Sequence, residues 1–462
     1  MILMNKKIDW KNKVIYQIYP RSFMDSFGNG TGDLNGIKSK VNYIKSLGVD
    51  YVWISPFFQS PQKDFGYDVS NYRKVDTLFG NNDDLKNLVE LFHNNDIKVI
   101  IDLVLSHTSD KHEWFKKSSK KIKNDYTDWY VWVDGEENQP PNNWLSVFGG
   151  SSWKWHQKKE QFYLHNFLES QPDLNFHNIT VQNQMLDEVQ FWLDFGIDGF
   201  RFDVINFLFH DRGLRNNPHK DPSEVRPLGF NKDNPYGLQH HKFDNTQEDT
   251  LSYLEKIRKL LNKYNAISIG EIVSDNPLKT IADYTNNQRL HMAYCFEFLS
   301  DDFNFETVDE IVNNFFEQNP DSWPCWAFSN HDAVRIASRV NKSPKEIMEK
   351  LLSLKGNICI YQGEELGLRN SILEKKDIRD PFGLNFWPKF KGRDGCRTPL
   401  PWNSKQKNYG FSSGSTWLPC DYKFEKLSVD IQENDKSSML NFTREKIRER
   451  KIKLVSSTSS KI

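Results

Sequence analysis

IKVIIDLVL, residues 97–105, is a nearly unbroken apolar run with one acid inside it, and the polar pair Ser106 and His107 follows it. A strand with one solvated face alternates apolar with polar residues. A strand buried on both faces need not, so this stretch predicts a parallel strand covered by helices on either side. Working outward, β-rich apolar runs recur at 14–19 (VIYQIY), 49–55 (VDYVWIS), 198–203 (DGFRFD), 266–271 (AISIGE), 292–298 (MAYCFEF), 323–329 (WPCWAFS) and 356–361 (GNICIY). Amphipathic stretches such as 37–47, 83–94 and 181–195 lie between them. Eight strands alternating with helices predict an α/β fold, a (β/α)8 TIM barrel. A doubly wound sheet is the alternative, but no glycine-rich phosphate loop follows the first run.

One interval breaks the rhythm. About 90 residues separate the third run from the fourth, where about 12–15 would be a long loop. Allowing for the helical stretch at 181–195, a small domain is expected at 107–177, inserted after the third strand. Barrel residues are then expected at 1–106 and 178–452, with a disordered tail at 453–462, which ends in SSTSSKI. The insertion holds Trp114, Trp129, Trp132, Trp144, Trp153 and Trp155, six of the 14 tryptophans, in a chain that is 14% aromatic. Part of this excess is expected to form a wall on which a ligand ring stacks. No run of alternating strands follows Trp402, so a C-terminal β-domain is expected to be missing.

Charge and cysteine content exclude several classes. In 462 residues, 61 basic side chains meet 62 acidic ones, for a net charge of −1. A nucleic-acid binder would show a basic excess. No window approaches the ~18 apolar residues of a membrane helix, and the first residues contain no signal-like apolar stretch. The five cysteines match no zinc or redox spacing, and a cytoplasmic protein is expected.

The chemistry lies at the ends of the strands, where such barrels place their sites. The third run carries Asp102 and leads into Ser106 and His107. The fourth carries Arg201 and ends in Asp203, the fifth ends in Glu271, and the seventh leads to Asn330, His331 and Asp332. Carboxylates brought together from separate strands do not titrate alike, since burial raises one while a guanidinium lowers another. This is the equipment for glycoside hydrolysis, with one carboxylate attacking the anomeric carbon and another protonating the leaving oxygen. A Zn or Mn site built from His107, His331, Asp203, Glu271 and Asp332 is the competing reading, weakened by the lack of a His-x-His pair on one strand.

Four motifs in order carry a resemblance: DLVLSH (102–107), GFRFDVIN (199–206), IGEI (269–272) and FSNHD (328–332), with QPDLN (171–175) closing the insertion. With these the sequence resembles the α-amylase superfamily, glycoside hydrolase family 13. DFGYDVSNY (64–72), FLFHDRGLRNNP (207–218) and FKGRDGCRTPLPW (390–402) resemble its α-glucosidase and oligo-1,6-glucosidase group. The resemblance implies a retaining, exo-acting α-glucosidase that releases terminal α-linked glucose from short malto- or isomalto-oligosaccharides and sucrose-like disaccharides. An oligo-1,6-glucosidase, or a transglycosylase or isomerase on the same site (sucrose isomerase, trehalose synthase), stays open. It implies Asp203 as nucleophile, Glu271 as general acid/base and Asp332 as transition-state stabiliser. It implies Asp64, Tyr67, His107, Arg201, His331 and Arg397 as clamps on the terminal glucose, with Asp64 and Arg397 blocking one end of the pocket. Phe148, Phe167 and Gln171 are implied on the insertion side.

The chain departs from the family pattern at Ser106 and in one loop, and Val204 bears on linkage. Ser106 stands where an Asn is usual. Val204, after the implied nucleophile, resembles the α-1,6-preferring members, whereas the flanking segments resemble enzymes acting on α-1,4 bonds. The loop DSFGNGTGD (25–33) resembles a calcium loop, implying structural Ca2+ held by Asp25, Asn29, Thr31 and Asp33, although Phe27 and Asn29 replace polar and acidic positions. No organic cofactor is implied.

Overall fold

A computed structural model describes residues 9–221, 224, 234–286, 288–300 and 303–459. Eight strands form one parallel sheet: β1 (Val14–Ile18), β2 (Tyr51–Ile54), β3 (Lys98–Val104), β4 (Gly199–Asp203), β5 (Ile267–Ile272), β6 (Met292–Cys295), β7 (Cys325–Ala327) and β8 (Asn357–Tyr361). Their order is β6-β5-β4-β3-β2-β1-β8-β7, and a parallel bridge between Ala293 and Pro324 joins the two ends into a nearly closed barrel. Each expected run coincides with one of these strands to within a few residues, and the (β/α)8 expectation holds.

The covering helices follow from local sequence. Helix Ile179–Phe195 starts at Asn178, whose side chain accepts the Thr180 N–H, and stops at Gly196 in the left-handed region (φ 108°). It buries Val181, Met185, Val189 and Trp192, with Trp192 packed on Phe57 and Phe58. Glu188, on the same face, is buried because Arg73 meets it with two N–H groups at 2.8 and 3.1 Å. Reciprocal Asn81/Asp84 and Ser343/Glu346 capping boxes start helices Asn82–His93 and Pro344–Ser353.

Strand register then places the chemistry. Asp102 on β3 lies opposite Arg201 on β4, and Val104 lies opposite Asp203. Glu271 on β5 lies opposite Tyr294 on β6. Because side chains alternate along a strand, Arg201 and Asp203 share one face. A one-residue slip would turn this whole set away from the barrel end.

Between β3 and β4 the chain forms a three-stranded antiparallel sheet, with Gln161–Leu164 between Trp132–Asp134 and Trp153–His156. Its aromatic residues divide between core and pocket wall. Trp144, Trp129 and Trp153 are buried, and Trp144 stacks on Trp153 at 5.9 Å. None of the six lines the pocket described below; Trp144, Trp153 and Trp155 pack in a small core of their own, Trp114, Trp129 and Trp132 pack with the barrel core, and Phe148 and Phe167 present the wall. One correction concerns the tail. The last helix runs Met439–Ser459, so residues 453–459 continue an established helix instead of being disordered, while 460–462 lie outside the described residues. Extending a formed helix costs far less than starting one, which is why a small, polar end still follows it. After Tyr361 the described residues contain helices and turns but no strand.

Candidate active site

A cavity opens at the carboxyl ends of the strands. At its floor Arg201, fully buried, is shared by three acids. Its Nη1 donates to Asp102 Oδ1 (2.8 Å) and to Asp203, and its Nη2 lies 2.7 Å from Glu271 Oε2. Tyr294 completes the set, since its hydroxyl donates to Glu271 Oε1 (3.0 Å) and accepts from Arg201 Nη2 (2.6 Å). One guanidinium cannot balance three anions in a dry site. Burial pushes Asp102 up to about 6, Asp203 up to about 7 and Glu271 up to about 8, with Arg201 acting against the rise in each case. The neighbouring charges of Asp203 and Asp332 add to the rise at Glu271. Glu271 is therefore the last of the three to lose its proton.

Val204 bends the chain directly after Asp203. Its backbone is left-handed (φ 34°, ψ 51°), a rare conformation for a β-branched residue and one that stores strain. The bend turns the Val204 N–H onto Glu271 Oε2 at 3.1 Å, which ties the two acids' loops together.

Asp332 has the opposite environment. Although burial works against it, His331 (Nε2 to Oδ2, 3.0 Å), Arg393 and Arg397 hold its carboxyl well below the usual carboxylate range. Burial lowers His331 to about 4 and His107 to about 3, so both rings are neutral at ordinary pH. His331 stacks on Tyr67 at 5.4 Å, and the Tyr67 hydroxyl also donates to Asp102 Oδ2 (3.1 Å).

The far end of the pocket is closed by a chain of polar contacts. Gln171 Nε2 donates to Asp64 Oδ2 (3.1 Å) and lies 3.2 Å from His107 Nε2, while His107 Nδ1 is bonded to Ser106 Oγ (2.9 Å). Ser106 thus holds the imidazole directly. Arg393, 10% exposed, donates to Asp64 Oδ1 (2.8 Å), Asp332 Oδ1 (3.1 Å) and Asp380 Oδ1 (2.7 Å). Asp380 is fully buried, and it also accepts the Phe382 and Arg393 backbone N–H groups. Gly392 (φ 77°) faces it, where a Cβ would lie 2.7 Å from Asp380 Oδ2. The carboxylate is thus the hub of the loop that brings both Arg393 and Phe382 over the pocket.

Of the residues expected at the site, Asp64, Tyr67, His107, Phe148, Phe167, Gln171, Asp203, Glu271 and Asp332 line the cavity. Arg201 and His331 stand behind the lining and hold it. Arg397 differs from expectation. It does not pair with Asp64 but donates to the His331 carbonyl (2.6 Å) and to Asp332 Oδ1 (2.8 Å) from a buried position, and Arg393 takes the place on Asp64. The two arginines are four residues apart in GRDGCR, and spacing alone does not tell which reaches the pocket. Tyr294 and Asp380 were likewise not singled out in the sequence. Each stands in an ordinary-looking segment, and only strand register or loop closure reveals it.

The Asp25–Asp33 loop does not fit a calcium ion as it is built. Asp25 accepts N–H groups from Phe27, Gly28 and Gly30 and the Ser412 hydroxyl, and Asp33 accepts from Ser26 and Gly36. Asn29 Oδ1 accepts from Thr31 N–H, and Phe27 is 55% exposed where a ligand oxygen would stand. The oxygens close the loop on itself instead of converging on a cation. Among the described residues no group of three or more His, Cys, Asp or Glu is arranged to hold a metal.

This geometry agrees with comparisons across known proteins. A family model described as the alpha-amylase catalytic domain matches residues 17–457. A probable alpha-glucosidase of Rhizobium meliloti (strain 1021) is 47% identical over 94% of this chain and 81% of its own length. An oligo-1,6-glucosidase of Heyndrickxia coagulans is 36% identical over 92% of this chain and 82% of its own. The crystal structure of an alpha-glucosyl transfer enzyme, 51% identical, superposes with a TM-score of 0.93 over 95% of this chain and 83% of that one. The chain spans about four-fifths of the length of these relatives. Among the described residues no helix is long and apolar enough to cross a membrane. With four strand-end motifs, an acid cluster on one arginine and these relatives in agreement, the chain belongs to the alpha-amylase family and is a glycoside hydrolase.

Proposed function

We propose that the chain is a retaining, exo-acting α-glucosidase that removes terminal α-linked glucose from short oligosaccharides. The observation that carries this reading is the ordering of three carboxyls in one closed-ended pocket. Asp332 is held anionic by its cationic neighbours, Asp203 titrates near neutrality on Arg201, and Glu271 keeps its proton longest. In the proposed reaction Asp203 attacks the anomeric carbon while Glu271 protonates the leaving oxygen. Water, deprotonated by Glu271, then releases glucose with its configuration retained. Asp332 stabilises the positive charge that develops on the ring. Asp64 and Arg393, joined across the far end, block a longer chain from passing through, which supports cleavage from the terminus. Arg393, the cation on the pocket lining, is already met by three carboxylates, so the site offers little to a phosphorylated sugar. The described cysteines Cys325, Cys359, Cys396 and Cys420 are unbridged, in keeping with a cytoplasmic enzyme.

The test is initial-rate kinetics on maltose, isomaltose, sucrose and maltotriose with product analysis. Glucose and maltose should be the first products from maltotriose. Cleavage inside longer chains, or failure to release glucose from all four, would reject the reading.

Two further results are expected. Activity needs Asp203 ionised and Glu271 protonated, so kcat/KM should rise with pH through about 7 and fall through about 8, a narrow bell. A profile that stays flat from about pH 5 to about pH 10 would contradict this assignment of acid and base. Arg393→Met removes one partner from a buried charge cluster. It should lower kcat/KM by about 2 kcal/mol, roughly 30-fold, mostly through KM. Unchanged kinetics would show that Arg393 does not shape the glucose site.

A further inference from the structure

Tyr294 meets the acid cluster with a hydroxyl whose direction is settled by its neighbours. It stands on β6, 3% exposed, opposite Glu271 on β5, with its ring tilted on Trp53 at 5.9 Å. Arg201 reaches that hydroxyl twice, from Nε at 3.1 Å and from Nη2 at 2.6 Å. With guanidinium N–H groups on its lone pairs, the oxygen turns its one hydrogen the other way, onto Glu271 Oε1 at 3.0 Å. Burial holds the phenol well above its ordinary value, so that hydrogen stays on. Tyr294 is therefore a donor to Glu271 and not an acceptor from it. The two oxygens of Glu271 differ as a result. Oε2 lies 2.7 Å from Arg201 Nη2 and accepts the Val204 N–H at 3.1 Å, so a proton there would face a guanidinium and a fixed N–H. Oε1 is met by the Tyr294 hydroxyl. A proton on Oε1 cannot turn towards Tyr294, which has no lone pair left for it, and Glu271 offers the pocket as the other direction.

We infer that Tyr294 is a positioning residue for the acid: it fixes Oε1 as the oxygen that carries the transferable proton, turns that proton towards the leaving group, and stabilises the carboxylate once the proton is gone. The inference rests on the α-glucosidase reading. In the first step Asp203 bonds to C1 as the C1–O bond of the substrate breaks, and the leaving oxygen takes the proton from Glu271 Oε1. Tyr294 then donates to a full negative charge, a stronger hydrogen bond than the one to the neutral acid. In the second step the water oxygen bonds to C1 as the C1–Asp203 bond breaks, the electron pair of that bond returns to the carboxylate, and the water proton passes to Oε1. One fixed donor thus serves an acid and a base on the same atom.

The test is the pH profile of the full chain carrying Tyr294→Phe, on maltose and on a nitrophenyl α-glucoside. The charged groups that face Glu271 are Arg201 and Asp203 from β4, Asp102 from β3 and Asp332 from the segment after β7, and the substitution leaves all four in place. Without the donor the carboxylate is less stable and Glu271 holds its proton to higher pH. The alkaline limb of kcat/KM should therefore move up by about one pH unit. At each enzyme's own pH optimum, maltose, whose leaving oxygen needs the proton, should lose about 30-fold in kcat/KM, and the nitrophenyl glucoside only about 3-fold. Replacing Tyr294 by a ring-fluorinated tyrosine, whose phenol is the stronger donor, should move the limb down instead. That variant keeps every contact, so it decides the matter if Tyr294→Phe does not fold. A limb that stays in place, a limb that moves the same way in both variants, or equal losses on the two substrates would overturn the inference, since these are what a purely structural tyrosine predicts. Cleavage of the nitrophenyl glucoside by the unaltered enzyme with an unmoved limb in the variants removes this inference alone, whereas no cleavage by the unaltered enzyme removes the α-glucosidase reading with it.

Discussion

Asp203→Asn is expected to lower kcat on maltose and on aryl α-glucosides alike, by about 10⁴-fold or more. The equal loss on both substrates is the informative part. A nucleophile is needed whatever the leaving group, whereas a group that merely helped a poor one depart would matter less for nitrophenol. The substitution keeps size and removes charge, so the fold should survive, which a thermal melt checks. It also relieves Arg201 of one of three acids, so its neighbours Asp102 and Glu271 are expected to shift down in pKa as a repulsive charge leaves. Retention of more than about 1% of activity would exclude Asp203 as the attacking group.

Glu271→Gln is expected to separate the two kinds of substrate. Protonation of the leaving oxygen contributes about 10²–10⁴-fold, and it is most needed where the leaving group is a sugar alkoxide. Maltose turnover should therefore fall by roughly that factor in the first step. Nitrophenol, a good leaving group, needs no proton to depart, so the first step with its glucoside should survive while the second step, which requires a base, becomes slow. A burst of nitrophenol followed by a slow phase is the expected record. Gln also keeps an acceptor oxygen for the Tyr294 hydroxyl or the Val204 N–H, which limits structural damage. Loss of maltose and aryl-glucoside cleavage in equal measure, with no burst, would remove Glu271 from the role of acid.

The two expectations rest on features of different legibility. The barrel could be read in the sequence because strands buried on both faces are continuous apolar runs, and nothing else in the chain repeats that pattern eight times. Asp203, Glu271 and Asp332 were legible because they stand at strand ends, where a barrel has only one mouth. Arg393 in place of Arg397 on Asp64 was not legible, because both lie in a loop whose path is set by the buried Asp380 carboxylate and two close-packed glycines. Tyr294 was hidden for a different reason. A tyrosine in an apolar strand reads as core, and only the register against Glu271 shows its hydroxyl committed to the acid. Which of the insertion's aromatics form the wall was not legible either: Phe148 and Phe167 do, and the tryptophans do not. A small sheet needs large side chains for its own interior, and Trp144 and Trp153 supply them. The Asp25–Asp33 loop shows the same limit, since alternating oxygens describe a calcium loop and an N–H-closed loop equally well until the donors are seen.

The most direct measurement combines the two variants' logic. Glu271→Gln enzyme, stopped during its slow phase with a nitrophenyl α-glucoside and digested, should yield a peptide carrying one hexosyl unit, with fragmentation placing it on Asp203. A hexosyl unit on Asp332 or another side chain, or a complete burst with no covalent adduct on any peptide, would contradict the retaining mechanism assigned to this pocket.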